Sequence, residues 1–124
     1  MAGQQVNRIS FDFAFTILTS EGVEIRFAQP FTLVNSSGTS CLIEPEHIDG
    51  GGARLFSLLR ADIESASVDA DKGSLMMHFA SGGSLECQCH EYYEAWSVTT
   101  QAGEIWISQP GGGLAHWPPQ DARN

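Results

Sequence analysis

Apolar residues occupy every second position early in the chain: Ile9, Phe11, Phe13, Phe15 and Ile17 alternate with Ser10, Asp12, Ala14 and Thr16. A period of two is that of a strand with one face buried. After the turn residues Ser20, Glu21 and Gly22, the alternation resumes as Val23, Ile25 and Phe27 against Glu24, Arg26 and Ala28. It reads as the returning arm of a hairpin. Pro30 ends that pairing because it has no amide hydrogen to donate. Phe31 and Leu33 begin a further short strand, residues 35–40 form a polar loop, and residues 41–44 are extended as far as Pro45.

One helix is predicted, over residues 51–60 behind the breaker Asp49, Gly50, Gly51, Gly52. There Leu55, Phe56, Leu58 and Leu59 gather on one side while Arg54, Ser57 and Arg60 point elsewhere. So short a helix is marginal in water alone, so its stripe is expected to dock on the apolar face of the sheet. A three-stranded meander follows: residues 63–70, then Leu75, Met77 and Phe79, then Leu85, Cys87 and Cys89, with turns at 71–73 and 81–83. Residues 94–100 and 104–108 make a last hairpin, and the tail from Pro110 opens as a glycine loop and ends frayed.

The fold expected is therefore α+β but mainly β: a twisted antiparallel sheet or partly open barrel of seven or eight strands, with one short helix packed on it. It forms one domain over residues 1–124, with an ordered core at about 8–117 and a frayed tail at 118–124.

Tyr93, Glu94, Ala95 and Trp96, followed by a hairpin and then by Pro110, Gly111, Gly112, Gly113, Leu114, Ala115, His116 and Trp117, carry a resemblance. The chain resembles a family of short bacterial proteins of unknown function that have a YEAW segment and a closing PGGGLAxW. The segment Pro30, Phe31, Thr32, Leu33 is similar to the family's PFTL, and residues 55–79 to its helix, strand, turn and strand, so the likeness spans about 11–117. The resemblance implies no assigned reaction. Cys87, Gln88, Cys89 and His90 lie outside its pattern.

Six basic residues against fifteen acidic give a net charge of −9. Such a chain repels phosphate, which disfavours nucleic acid and anionic lipid as partners. No apolar run approaches the roughly 20 residues of a membrane span, and the N-terminus MAGQQVNRIS lacks the basic start and apolar stretch of a signal peptide. A cytoplasmic protein is expected.

Candidate chemistry is sparse. Cys41, Cys87, Cys89 and His90 contain the atoms for a zinc site, but an extended C-x-C holds its Cβ atoms roughly 7 Å apart and turns His90 to the other face. Buried cysteines acting as small hydrophobes are the better reading, and neither a metal nor a cofactor is expected. The histidines His47, His78, His90 and His116 stand far apart, with no G-x-S-x-G elbow beside any serine. Glycines 111–113 lead into no helix and no lysine, so they are expected to permit a close backbone approach rather than to hold phosphate. Glu94, read on the same strand face as Trp96, is expected to accept from the amides of that glycine loop.

The candidate binding residues are Tyr93, Glu94, Trp96, Trp106, Gly111, Gly112, Gly113 and Trp117, because rigid aromatics with polar tips anchor interfaces. Trp106 is expected to be the exposed one, with Ile105 and Ile107 inward. Three functions follow. The first is a non-catalytic acidic module that binds a basic protein, in the manner of an immunity protein or antitoxin. The second is a binder of a small molecule or metal at Tyr93, Glu94 and Trp117 or at the cysteines. The third is an enzyme without a recognised signature, for which a histidine bonded to a carboxylate or thiol would speak. Leftover apolar sheet area would suit a homodimer or a partner.

Overall fold

In the computed structural model, which describes residues 1–48 and 52–119, the N-terminal alternation runs straight through a turn. β1 (Val6–Phe11) and β2 (Phe15–Thr19) form a tight hairpin in which Phe11 faces Phe15 and Ile9 faces Ile17. The turn closes at Asp12: its Oδ1 accepts from the Ala14 amide at 2.7 Å, and its own amide donates to the Ala14 carbonyl. Facing residues 11 and 15 have the same parity, so a period of two crosses the turn unbroken. The single strand expected over 9–17 is therefore two.

β3 (Glu24–Phe27) completes the returning arm, and the chain then crosses at Pro30 to a second sheet. There lie β4 (Phe31–Val34) and β5 (Ser40–Ile43), then β6 (Ile63–Asp69), β7 (Ser74–Phe79) and β8 (Ser84–Cys87). β9 (Trp96–Thr99), β10 (Ile105–Ser108) and β11 (Leu114–Trp117) return to the first sheet. The orders are β1-β2-β3-β9-β10-β11 and β5-β4-β8-β7-β6, all antiparallel. The described residues thus form eleven strands in two sheets, not seven or eight in one sheet or barrel. Two of the additional strands come from the first hairpin, read as one strand, and from β11, expected as part of a loop.

The inner faces of both sheets meet in one core. Ile17, Ile25, Phe27 and Trp96 come from the first sheet and Leu33, Leu75, Met77 and Leu85 from the second, all buried. Across the divide Phe15, Phe27 and Phe31 lie 4.8 to 6.1 Å apart between ring centroids. Each such ring contributes about 1.5–3 kcal/mol through the apolar area it hides.

The predicted helix is shorter than its pattern. α1 (Gly52–Leu55) tightens at once into a 3₁₀ turn, Phe56–Leu58, and ends at Leu59, whose φ of −59° and ψ of 128° are extended. Only Leu55 and Leu58 enter the core, while Phe56 is 58% exposed. A stripe two residues wide is what a single irregular turn can offer. Residues 49–51 of the breaker at 49–52 and residues 120–124 of the tail expected at 118–124 lie outside the described residues.

The two sheets are pinned at one end by the β6–β7 turn. The buried Gly73 carbonyl accepts from Trp96 Nε1 at 3.0 Å and from Ser108 Oγ at 2.8 Å, both on the other sheet. Opposite it stands the glycine loop before β11.

Candidate functional site

The expected binding residues separate into three places. Trp96 faces Phe27 across the ladder and is buried, so it is core. Trp106 faces Val98, which faces Ile25, so its indole shares the inner face and is half-buried. Ile105 and Ile107 take the outer face, the reverse of the expectation: two isoleucines outweigh one tryptophan in a count, but register with Val98 decides. Trp106 also stacks on His116, centroids 4.8 Å apart and planes 11° from parallel. Trp117 faces Ile105 on the outer side and is 42% exposed.

Glycines 111–113 all have positive φ, between 79° and 122°. Their amides donate to backbone carbonyls: Gly111 to His90 at 2.8 Å, Gly112 to Gln109 at 3.1 Å, Gly113 to Asp71 at 3.2 Å. The expected anchoring of this loop by Glu94 is therefore corrected, since main-chain oxygens already take those donors. Glu94 precedes β9 and is exposed, whereas Trp96 is buried. The close approach itself is present: a Cβ on Gly73 would lie 2.8 Å from the Gly113 oxygen. Of the three loop glycines only Gly112 would be crowded by a Cβ, 3.3 Å from the Asp71 oxygen, so the tightest point of the seam lies at Gly73.

Cys87 lies buried in β8, Cys89 beyond the end of that strand, and Cys41 half-buried in β5. Burial pushes the Cys87 thiol up to about 12, with Cys89 and Glu86 adding to the rise. Such a thiol is a poor nucleophile and a poor ligand. No group of three or more His, Cys, Asp or Glu placed to hold a metal occurs among the described residues. His90 instead organises a loop: its Nδ1 accepts from the amides of Tyr92 at 3.0 Å and Tyr93 at 3.2 Å. His116 Nε2 meets Glu104 Oε2 at 2.9 Å, the one histidine–carboxylate pair among the described residues. Both side chains are partly exposed, at 45% and 25%, with no serine or cysteine bonded to either.

The loop ordered by His90 builds the most distinctive surface. Ala28 and Gln29 both donate to the Ala95 carbonyl, which holds the tyrosine segment beside the end of β3. Tyr92 is 70% exposed, Tyr93 62%, and Phe13, at the tip of the β1–β2 turn, 82%. All three line one concavity of about 520 Å³, together with Arg26, Glu46 and Glu94. A neighbouring cleft of about 500 Å³ shares Tyr93 and Glu46 and adds Glu44 and His47. Of the expected residues, Tyr93 and Glu94 come together here; Trp106, Trp117 and the glycines do not.

Phe13, Arg26, Glu44, Glu46 and His47 were not legible as members. Phe13 has the alternation of a core residue, and only a turn at Asp12 would have released it. The acidic pair around Pro45 follows a strand end, where a solvated pair is ordinary.

No helix among the described residues is long and apolar enough to cross a membrane. No curated protein and no solved structure matches the chain. A family profile does match, over residues 1–118, so nearly all of the two-sheet fold and the whole aromatic concavity lie within it, and the chain belongs to the family of unknown function DUF6188.

Proposed function

We propose that this protein is a non-catalytic binding module that takes a basic segment of a protein partner into the concavity between Phe13, Tyr92 and Tyr93. The observation that carries this reading is the exposure of three aromatic side chains that line one concavity with Glu46 and Glu94. Exposed large rings cost solubility unless something covers them, and rings beside carboxylates offer a lysine or arginine both a π face and a counter-charge. Arg26 lines the same concavity as Glu46 and Glu94, and Glu44 joins Glu46 in the neighbouring cleft, which carries no Lys or Arg among the described residues, so carboxylates outnumber the one arginine across the two. The net charge of −9 steers a basic partner toward the whole molecule. Neutralisation of a basic protein, as an immunity protein or antitoxin performs it, is the role such a surface fits.

The test is affinity capture from native cell extract at low and moderate salt, with wild type and a Tyr93→Ala, Glu46→Gln double variant, read by mass spectrometry. A basic protein retained by wild type and lost by the variant, and weakened by added salt, is expected. Equal retention by both baits would overturn the reading.

A further inference from the structure

The two ends of β4 carry opposite chemistry. Its N-terminal end adjoins the acidic cleft of Pro30, Glu44 and Glu46. Its C-terminal end opens into a second cleft of about 530 Å³, bounded by the β4–β5 loop, the β7–β8 turn and the helical segment. In a chain with fifteen acidic residues, no Asp or Glu lines this cleft. Its floor is apolar and buried, from Leu33, Leu58 and Phe79.

The polar rim offers donors. Arg54 stands there with no carboxylate partner among the described residues. Asn35 contributes an amide whose Oδ1 is already occupied by Ser37 N, Ser37 Oγ and Thr39 N, so only its Nδ2 hydrogens are free to bond. The hydroxyls of Ser36 and Ser81 add two more. Ser57 is excluded from this set because its Oγ donates to the Arg54 carbonyl at 2.6 Å. A guanidinium, an amide NH₂ and hydroxyls above an apolar floor match one kind of ligand: an anionic acceptor head on an apolar body.

We propose that this cleft binds a small organic carboxylate, its head on Arg54 and Asn35 and its body against Leu33, Leu58 and Phe79. The site is independent of the aromatic concavity, which lies at the other end of β4. The test is an amide NMR titration of the full chain with octanoate, and with octanol as the uncharged match. Octanoate is expected to give saturable shifts at Asn35, Ser36 and Gly83 but not at Tyr92 or Tyr93, with octanol at least about tenfold weaker. Arg54→Gln, at an exposed position, should keep the native spectrum and lose about tenfold in octanoate affinity, with Arg54→Lys between the two. Absence of saturable shifts at the cleft, equal affinity for octanol, or an unchanged affinity in Arg54→Gln would each overturn the proposal.

Discussion

Trp96 and Ser108 donate to the same oxygen, the Gly73 carbonyl, from neighbouring strands of the opposite sheet. Either donor alone still satisfies that buried acceptor; only loss of both leaves it bare. Ser108→Ala should therefore cost about 1 kcal/mol, and Trp96→Phe about 2–3 kcal/mol with its lost volume. The double variant should exceed their sum by about 1 kcal/mol or more. Urea unfolding of the four proteins measures the coupling, and simple additivity would refute a shared acceptor.

The same turn makes a prediction about glycine. Gly73 has a φ of 70° and its missing Cβ would crowd the Gly113 oxygen, whereas Gly38, at 88°, has open space. Gly38→Ala should then show conformational cost alone, about 1 kcal/mol. Gly73→Ala should lose about 3 kcal/mol or more, because main chain on the facing sheet must move. Equal losses in thermal or urea unfolding would show that the seam is not close-packed.

Cys87 should resist alkylation. With iodoacetamide at pH 8, mass spectrometry should find label on Cys41 and Cys89 only, and on Cys87 once urea is added. The alkaline limb of stability follows from the same thiol. Its pKa is raised from 9.0 in the unfolded chain to about 12 in the fold, so the unfolded state releases its proton first. The stabilisation is complete below pH 9 and is lost as pH rises from 9 toward 12. Cys87→Ala should flatten that decline relative to wild type, and an identical slope would argue against the thiol as its cause.

Phe13→Ala should leave stability within about 0.5 kcal/mol, since the ring is exposed and packs nothing into the core. Phe15→Ala, two positions on, should cost about 3–5 kcal/mol. Circular dichroism melts of the two variants separate a surface ring from a core ring that share one alternating pattern.

That contrast marks the limit of what could be read from the chain. Period and turn residues located β3, the β6–β7–β8 meander and the β9–β10 hairpin, because each has polar punctuation at its ends. The first hairpin was hidden because facing residues of equal parity keep the alternation in phase. Composition cannot say which face of β10 is inner, and so places Trp106 outward; only its pairing with Val98 shows the indole on the inner face. Aromatic density singles out Tyr93, and Glu94 is singled out only through the glycine-loop contact it does not make; their neighbours Phe13, Arg26 and Glu46 come from three other segments joined by sheet topology.

The pairing of β3 with β9 bears on how the chain is made. Ile25 and Phe27 finish their sheet only when Val98 and Trp96 arrive. At about 5–20 residues per second, β3 stands on a ribosome as an unpaired edge for roughly 3–14 s after it is synthesised. During that interval its neighbour β2 covers one side only, and the meander β6–β7–β8 can pair within itself first. The nascent chain thus passes through a stage with an open strand edge, where Glu24 and Arg26 on the outer face are the charges that discourage pairing with a second chain.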